Sequence, residues 1–376
     1  MCTVDGVAKW LVRDSCGPTL AGRWWNVKLA NLVGIAAAEL WLPESRARAD
    51  AAVREGRLRE RQALDVGHAE IPVAERDSPP EMAVYAARAA LEVAGVDADR
   101  LDIICHAWMY YQGHDLWSPA HYIAHELGAH HALPVGIQQV CNGGSAAVEL
   151  TAARLVAAGQ DPAGTARWGL VTTADRFAGP GFDRWASDYG VVYGDGGTAV
   201  LLRVPADPSD VLVLRSVAST AAPELEVMHR GADPFALAAR AHRERVDMRA
   251  TKRAFLHEYG NEPLIRANQR SIRIVVAEAL RDAGMDPRDR RLRYAVLPRF
   301  GLRTLQESWI PVLAECMDAE PVNYGQATGH LGAGDAIAGL ADLVRRRALA
   351  PGEAALVLSA GAGFTWSCLL VQATSR

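Results

Sequence analysis

The chain has 376 residues, half of them hydrophobic, which is enough for one large core or two fused domains. Its net charge of -4 gives no global reason to expect nucleic acid or a membrane surface as a partner, and no apolar run reaches the ~18 to 20 residues that a membrane span needs. Six cysteines occur without a CxxC pair, so reduced thiols in a cytoplasm are expected rather than a disulfide framework or a metal site. The N-terminus lacks the basic, apolar and small-residue pattern of a secretion signal.

In chain order, residues 1–31 carry Trp10, Trp24 and Trp25 without periodicity and read as an N-terminal arm. Leu32 to Leu42 reads as a first strand, stopped by Pro43. Residues 44–75 are charged and read as helix or loop. Ser78-Pro79-Pro80-Glu81 is a helix start, and the helix runs to Ala94 before Gly95. Leu101 to His106 reads as a buried strand, and Pro119 to Leu127 as a helix ended by Gly128. Trp168 to Ala174 is a strand, and Tyr193-Gly-Asp-Gly-Gly197 turns into another. A second half begins near Val211. It is expected to hold a long helical region from Pro234 to Ala283, broken near Gly260 and Pro263. Tyr294 to Pro298 is a strand, Leu305 to Cys316 a helix, and Ala336 to Arg347 a helix after a glycine-rich turn. Two strands, Ala354 to Ser359 and Thr365 to Val371, close the chain.

The stretch with the most chemistry runs from Val135 to Gly159. It predicts a short strand, then Cys141, then an Ala-rich helix. Small residues from Gly143 to Ala147 allow another backbone to approach closely. A cysteine at a helix N-terminus faces the positive end of the helix dipole and free amide N–H groups, which favours a thiolate. The alternative is a buried structural cysteine.

An internal repeat supports the first alternative. Ala90-Leu-Glu-Val-Ala-Gly-Val-Asp97 resembles Ala279-Leu-Arg-Asp-Ala-Gly-Met-Asp286, and the helix around Leu155-Val156 resembles that around Leu343-Val344. The offsets are 189 and 188 residues, and they carry Cys141 onto Gly329 or His330. Two halves, 32–208 and 209–376, thus offer two corresponding helix starts to one site.

Gln139-Val-Cys-Asn-Gly-Gly-Ser145, Tyr193-Gly-Asp-Gly-Gly197, Gly329-His-Leu-Gly-Ala-Gly-Asp335 and Gly361-Ala-Gly-Phe-Thr-Trp366, in that order, resemble the β-ketoacyl-acyl carrier protein synthase III group of the thiolase superfamily. The resemblance spans roughly residues 32 to 375 and implies an α/β fold, a duplicated αβαβα sandwich, usually in a homodimer. It also implies a Cys, His and Asn site in condensing members. Here Arg299 stands where the His is expected, His330 at the Asn position, and Asp335 five residues later. This pattern is closer to the acyltransferase branch, whose members esterify small acceptors in natural-product assembly.

The resulting expectation is an acyltransferase. Cys141 takes an acyl group from an acyl carrier protein or CoA thioester, whose phosphopantetheine arrives with the donor. His330 serves as base for a hydroxyl or amine acceptor, and Asp335 orients it. The pairing of His330 with Asp335 requires loop between them, because on a straight helix i and i+5 diverge by ~140°. Otherwise His330 is a hydrogen-bonding substitute for Asn, and Asp335 an N-cap. The Cys141 amide and, by resemblance, that of Gly363 would hold the oxyanion. Arg299 is either a carboxylate or phosphate clamp or a structural ion pair. Trp108 and Trp117, with Tyr110 and Tyr111, either line an acyl pocket or pack into the core. His121 and His125 have a zinc-compatible spacing that nothing else supports. The basic stretch from Arg240 to Arg253, including Arg249, is a solvated face or a carrier docking patch. The competing functions are a carbon–carbon condensing enzyme and a non-catalytic partner subunit.

Overall fold

The computed structural model describes residues 27–159, 165–238 and 240–374. The first half supplies strands β1 (Val27–Trp41), β4 (Ile103–Ala107), β5 (Leu133–Ile137), β6 (Arg167–Asp175) and β7 (Gly196–Val204). A small two-stranded sheet, β2 (Arg46–Arg48) and β3 (Glu70–Pro72), brackets helices α1 (Ala49–Arg54) and α2 (Glu60–Val66). Helices α3 (Pro79–Ala94), α4 (Pro119–Leu127) and α5 (Gly143–Ala158) complete this half. The second half supplies β8 (Leu212–Ala221), β9 (Leu292–Val296), β10 (Glu320–Val322), β11 (Ala354–Gly361) and β12 (Thr365–Ala373). Its helices are α6 (Val227–Arg230), α7 (Met248–Tyr259), α8 (Glu262–Ala283), α9 (Leu302–Ser308), α10 (Ile310–Cys316) and α11 (Asp335–Arg345).

The main sheet runs β10-β9-β11-β12-β8-β1-β7-β6-β4-β5. Within each half the first strand is followed in space by the fifth, fourth, second and third. The pairing directions also agree: first with fifth and fifth with fourth are antiparallel, and the rest are parallel. The repeat is therefore a duplication of topology, joined where β1 pairs antiparallel with β8.

Strand alternation builds the layers. In β7, Val200 and Leu202 face α5 and α11, while Ala199 and Leu201 face α3. In β12, Leu369 and Val371 face the same central helices, and Cys368 and Leu370 face α8. The five layers are thus helices, sheet, the central pair α5 and α11, sheet, and helices. This is the duplicated αβαβα sandwich that the resemblance implies. At the centre, a Cβ on Gly144 would lie 2.5 Å from the Ala333 carbonyl oxygen, so the small residues after Cys141 let the two halves meet.

Four expectations change. Residues 44–75, expected as helix or loop, also carry the paired strands β2 and β3, with Ile71 buried. The first strand starts at Val27, inside the expected arm, because Val27 and Lys28 pair with Val217 and Ser216 of β8; residues 1–26 of that arm lie outside the described residues. No helix covers the described residues from Pro234 to Val246. The helix starts at Met248, where the Asp247 side chain accepts the Ala250 N–H. The helix expected from Leu305 to Cys316 is two short ones, parted at Trp309. Among the described residues no helix is long and apolar enough to cross a membrane.

Candidate active site

Cys141 lies in a 3-10 turn, Val140–Asn142, that runs into α5. It is 7% exposed. Val140 before it has φ +49°, a sparsely populated conformation for a β-branched residue, and such strain gathers at functional sites. Asn142 Nδ2 donates to Ser367 Oγ at 2.8 Å and ties the turn to β12.

His330 comes from the second half but is pinned to the first. Its N–H donates to the Val192 carbonyl at 2.8 Å, and its carbonyl accepts the Gly194 N–H at 3.0 Å. The imidazole sits between Tyr193 and Phe300, with ring centroids 5.3 and 5.8 Å away. The Leu331 to Gly334 segment is a turn and not regular α-helix, so Asp335 folds back onto His330. Nδ1–H of His330 donates to Asp335 Oδ2 at 2.6 Å. Asp335 also accepts the Arg299 N–H at Oδ2 and the Leu331 N–H at Oδ1, each at 2.9 Å. The residue at the N-cap position of α11 is Gly334, so Asp335 does not cap that helix.

The charges follow from this geometry. Burial pushes the His330 imidazolium down, but Asp335 and the Cys141 thiol outweigh it and hold its pKa well above the ordinary value. Burial pushes Asp335 up, and His330, Arg299 and the Leu331 N–H bring it below the usual carboxylate range. His330 Nε2 has no hydrogen bond of good geometry, and Cys141 is the thiol coupled to that imidazole. A thiol, an imidazole and a carboxylate so arranged can pass a proton from an incoming nucleophile and hold the positive charge that results.

The structure brings Cys141, His330 and Asp335 together, and it redirects the other candidates. Arg299 is 2% exposed. Its guanidinium is spent on Asp342 Oδ2 (2.6 Å), Thr328 Oγ1 (2.6 Å) and the Tyr324 carbonyl (3.2 Å). It is the structural ion pair, not a clamp open to substrate. Trp108 stacks on His106 and abuts Gly136 of β5, and Trp117 lies against His114 and Tyr122 at the surface. The residue of that segment that reaches the thiol is Met109, whose Sδ is 3.8 Å from Cys141 Sγ. The turn after β11 meets Cys141 through Gly361, where a Cβ would stand 3.0 Å from Cys141 Cβ; Gly363 instead faces Gln139.

The basic stretch also divides. Arg249 points inward, with Nε on the Asp188 carbonyl (2.6 Å) and Nη2 on the Trp185 carbonyl (3.0 Å). Lys252 is paired with buried Asp188. Arg253 is outward and donates to Tyr189 Oη at 3.0 Å. Exposed Phe235 and Leu237 stand in the irregular segment before α7.

Sequence reasoning passed over Met109 and Asp175. The second had a signal: a carboxylate at the C-terminal end of a strand in an α/β sheet, the edge where such folds build their sites.

Residues 269–373 match the family model of the 3-oxoacyl-[acyl-carrier-protein] synthase III C-terminal region. ChlB3, an acyltransferase, is 32% identical with a TM-score of 0.80, over 92% of this chain and 98% of that one. The 3-oxoacyl-[acyl-carrier-protein] synthase III of Aquifex aeolicus VF5 is 20% identical with a TM-score of 0.71, over 90% and 99%. AbyA1, a tetronic acid condensing enzyme, is 22% identical with a TM-score of 0.67, over 90% and 99%, and like the preceding one bears on the fold alone. No curated protein matches the chain by sequence. With its duplicated αβαβα fold and its likeness to ChlB3 over nearly the whole length of both, the chain belongs to the 3-oxoacyl-[acyl-carrier-protein] synthase III family of the thiolase superfamily.

Proposed function

We propose that the chain is an acyltransferase that moves an acyl group from an acyl carrier protein or CoA thioester, through Cys141, to a hydroxyl or amine of a small acceptor in natural-product assembly. The observation that carries this reading is the buried His330–Asp335 pair beside Cys141. A carboxylate-backed imidazole accepts a proton from an acceptor. Decarboxylative condensation needs neutral donors held on a malonyl carbonyl, and Arg299 is committed elsewhere. The acyltransferase name of ChlB3 supports the same reading.

Cys141 thiolate attacks the thioester carbonyl, and the carrier leaves as its thiol with the proton given up by the His330 imidazolium, which frees Nε2. The acceptor then attacks the acyl-cysteine while His330 Nε2 takes its proton, and the Cys141 thiolate is regenerated. Asp335 keeps Nδ1 protonated and stabilises the imidazolium. The outward guanidinium of Arg253 suits an acidic carrier protein. A cytoplasmic homodimer is the expected working form.

Incubation with a panel of acyl carriers, followed by intact-protein mass spectrometry, tests the reading. An acyl adduct should form on the wild type and be absent from Cys141→Ala. Product analysis then separates the two chemistries: an ester or amide without carbon dioxide supports transfer, and a lengthened ketoacyl chain supports condensation. Labelling that survives in Cys141→Ala sinks both.

A further inference from the structure

We infer that Asp175 is a positioning residue for this site: one buried carboxylate fixes the loop that carries Met109 against the turn that joins His330 to Asp335. The inference goes beyond the triad and rests on the acyl-transfer reading only for its consequence in turnover.

Asp175 is the last residue of β6 and is fully buried. Its Oδ1 accepts the N–H groups of Met109 (3.0 Å) and Tyr110 (2.8 Å). Its Oδ2 accepts the Ala333 N–H at 2.9 Å and a longer contact from Met109 N–H at 3.2 Å. The first two amides belong to the segment that follows β4, whose Met109 Sδ touches Cys141 Sγ. The third lies in the 3-10 turn Gly332–Gly334, between His330 and Asp335. The carboxylate therefore bridges the two halves at the place where thiol and imidazole meet. Gly332, with φ +62°, makes the approach possible, since a Cβ there would lie 2.1 Å from Asp175 Oδ2.

The charge of Asp175 is the unusual part. Each other buried aspartate among the described residues has a cationic partner: Lys252 for Asp188, Arg184 for Asp195, Arg203 for Asp210, His330 for Asp335 and Arg299 for Asp342. Asp175 has no ion pair within this set. An unpaired buried carboxylate is costly, and a carboxylate kept only to hold a fold is normally given a guanidinium or ammonium. Here the balancing groups are three backbone amides and the imidazole of His330. Burial pushes the Asp175 carboxyl up to about 7, against the pull of those four groups. Above that pH Asp175 adds a second negative charge near the imidazolium, and its two oxygens set the loop separation.

The test reads the Cys141 thiol directly and uses no acyl donor, so its failure is separate from failure of the function. The rate of alkylation of Cys141 by iodoacetamide is followed against pH by peptide mass spectrometry, for wild type and Asp175→Asn. Asn offers one acceptor oxygen to donors that occupy two, and no charge. At a given pH the alkylation rate should differ from wild type by about 10-fold, because the loop that sets Met109 against the thiol is no longer held at both oxygens. Acyl transfer should lose about 10-fold in kcat with KM for the donor unchanged. A folded Asp175→Asn with the wild-type alkylation profile overturns the inference. Hydrogen exchange on the wild type supplies a test that needs no variant. The Met109, Tyr110 and Ala333 amides should exchange slowly, and rapid exchange of any of them overturns the inference as well.

Discussion

His330 Nδ1 lies 2.6 Å from Asp335 Oδ2, with both side chains about 1% exposed. A buried pair of this kind carries a pH signature with two edges. The pKa of His330 is held well above 6.5, so its contribution to stability is complete below 6.5 and is lost as pH rises through the folded value. That of Asp335 is held below 3.8, so its contribution is complete above 3.8 and is lost as pH falls through the folded value. Between 3.8 and 6.5 both contributions are present. Asp335→Asn should therefore be destabilised most in that window, by about 3–5 kcal/mol, the usual cost of breaking a buried pair. Thermal melts of the two proteins across pH check this, and a Tm gap that does not depend on pH contradicts it.

The two half-reactions should respond differently to loss of the base. His330→Asn should still accept acyl groups on Cys141, since the nucleophile itself is retained. Transfer to the acceptor should slow by roughly 10²- to 10⁴-fold. Asp335→Asn should show the same signature with a smaller loss. Single-turnover kinetics decide it. If His330→Asn gains malonyl decarboxylation at undiminished transfer rate, condensation becomes the better reading.

Arg299 should matter for stability and not for substrate. Arg299→Ala leaves Asp342 buried with only Arg345 and Arg346 at its outer side, so about 3–5 kcal/mol should be lost in denaturant unfolding. The double variant Arg299→Met with Asp342→Leu should recover most of it, because apolar replacement of a buried ion pair is often neutral. Arg299 N–H to Asp335 survives these changes, and KM for the donor should hold. A rise in KM in the folded double variant would return Arg299 to the substrate.

Docking should separate Arg249 from Arg253. Arg253→Glu alters an outward charge, and should raise KM for a carrier-bound donor and weaken its salt dependence. Arg249→Ala removes two bonds to buried carbonyls and should lower Tm while leaving that salt dependence in place. An unchanged KM for Arg253→Glu at low salt removes this face as the docking site.

Much of this protein was legible in local pattern. Short apolar runs and glycine stops mark the strands and helices, because the strands of this sheet are buried on both faces and each stop acts over a few residues. The repeat offset put His330 opposite Cys141, and the glycines from Gly332 to Gly334 allowed Asp335 to turn back. What only the tertiary structure decided is the direction of side chains whose partners are far along the chain. Arg299 turns to Asp342, 43 residues away; Asp175 reaches Met109 and Ala333, 66 and 158 residues away. The split of the basic stretch was hidden for the same reason. Arg249 and Lys252 both answer to the 185–188 segment across a fold that no local periodicity encodes. A charge of either sign is written in the sequence, but whether water or a buried carbonyl satisfies it is settled only when distant loops pack.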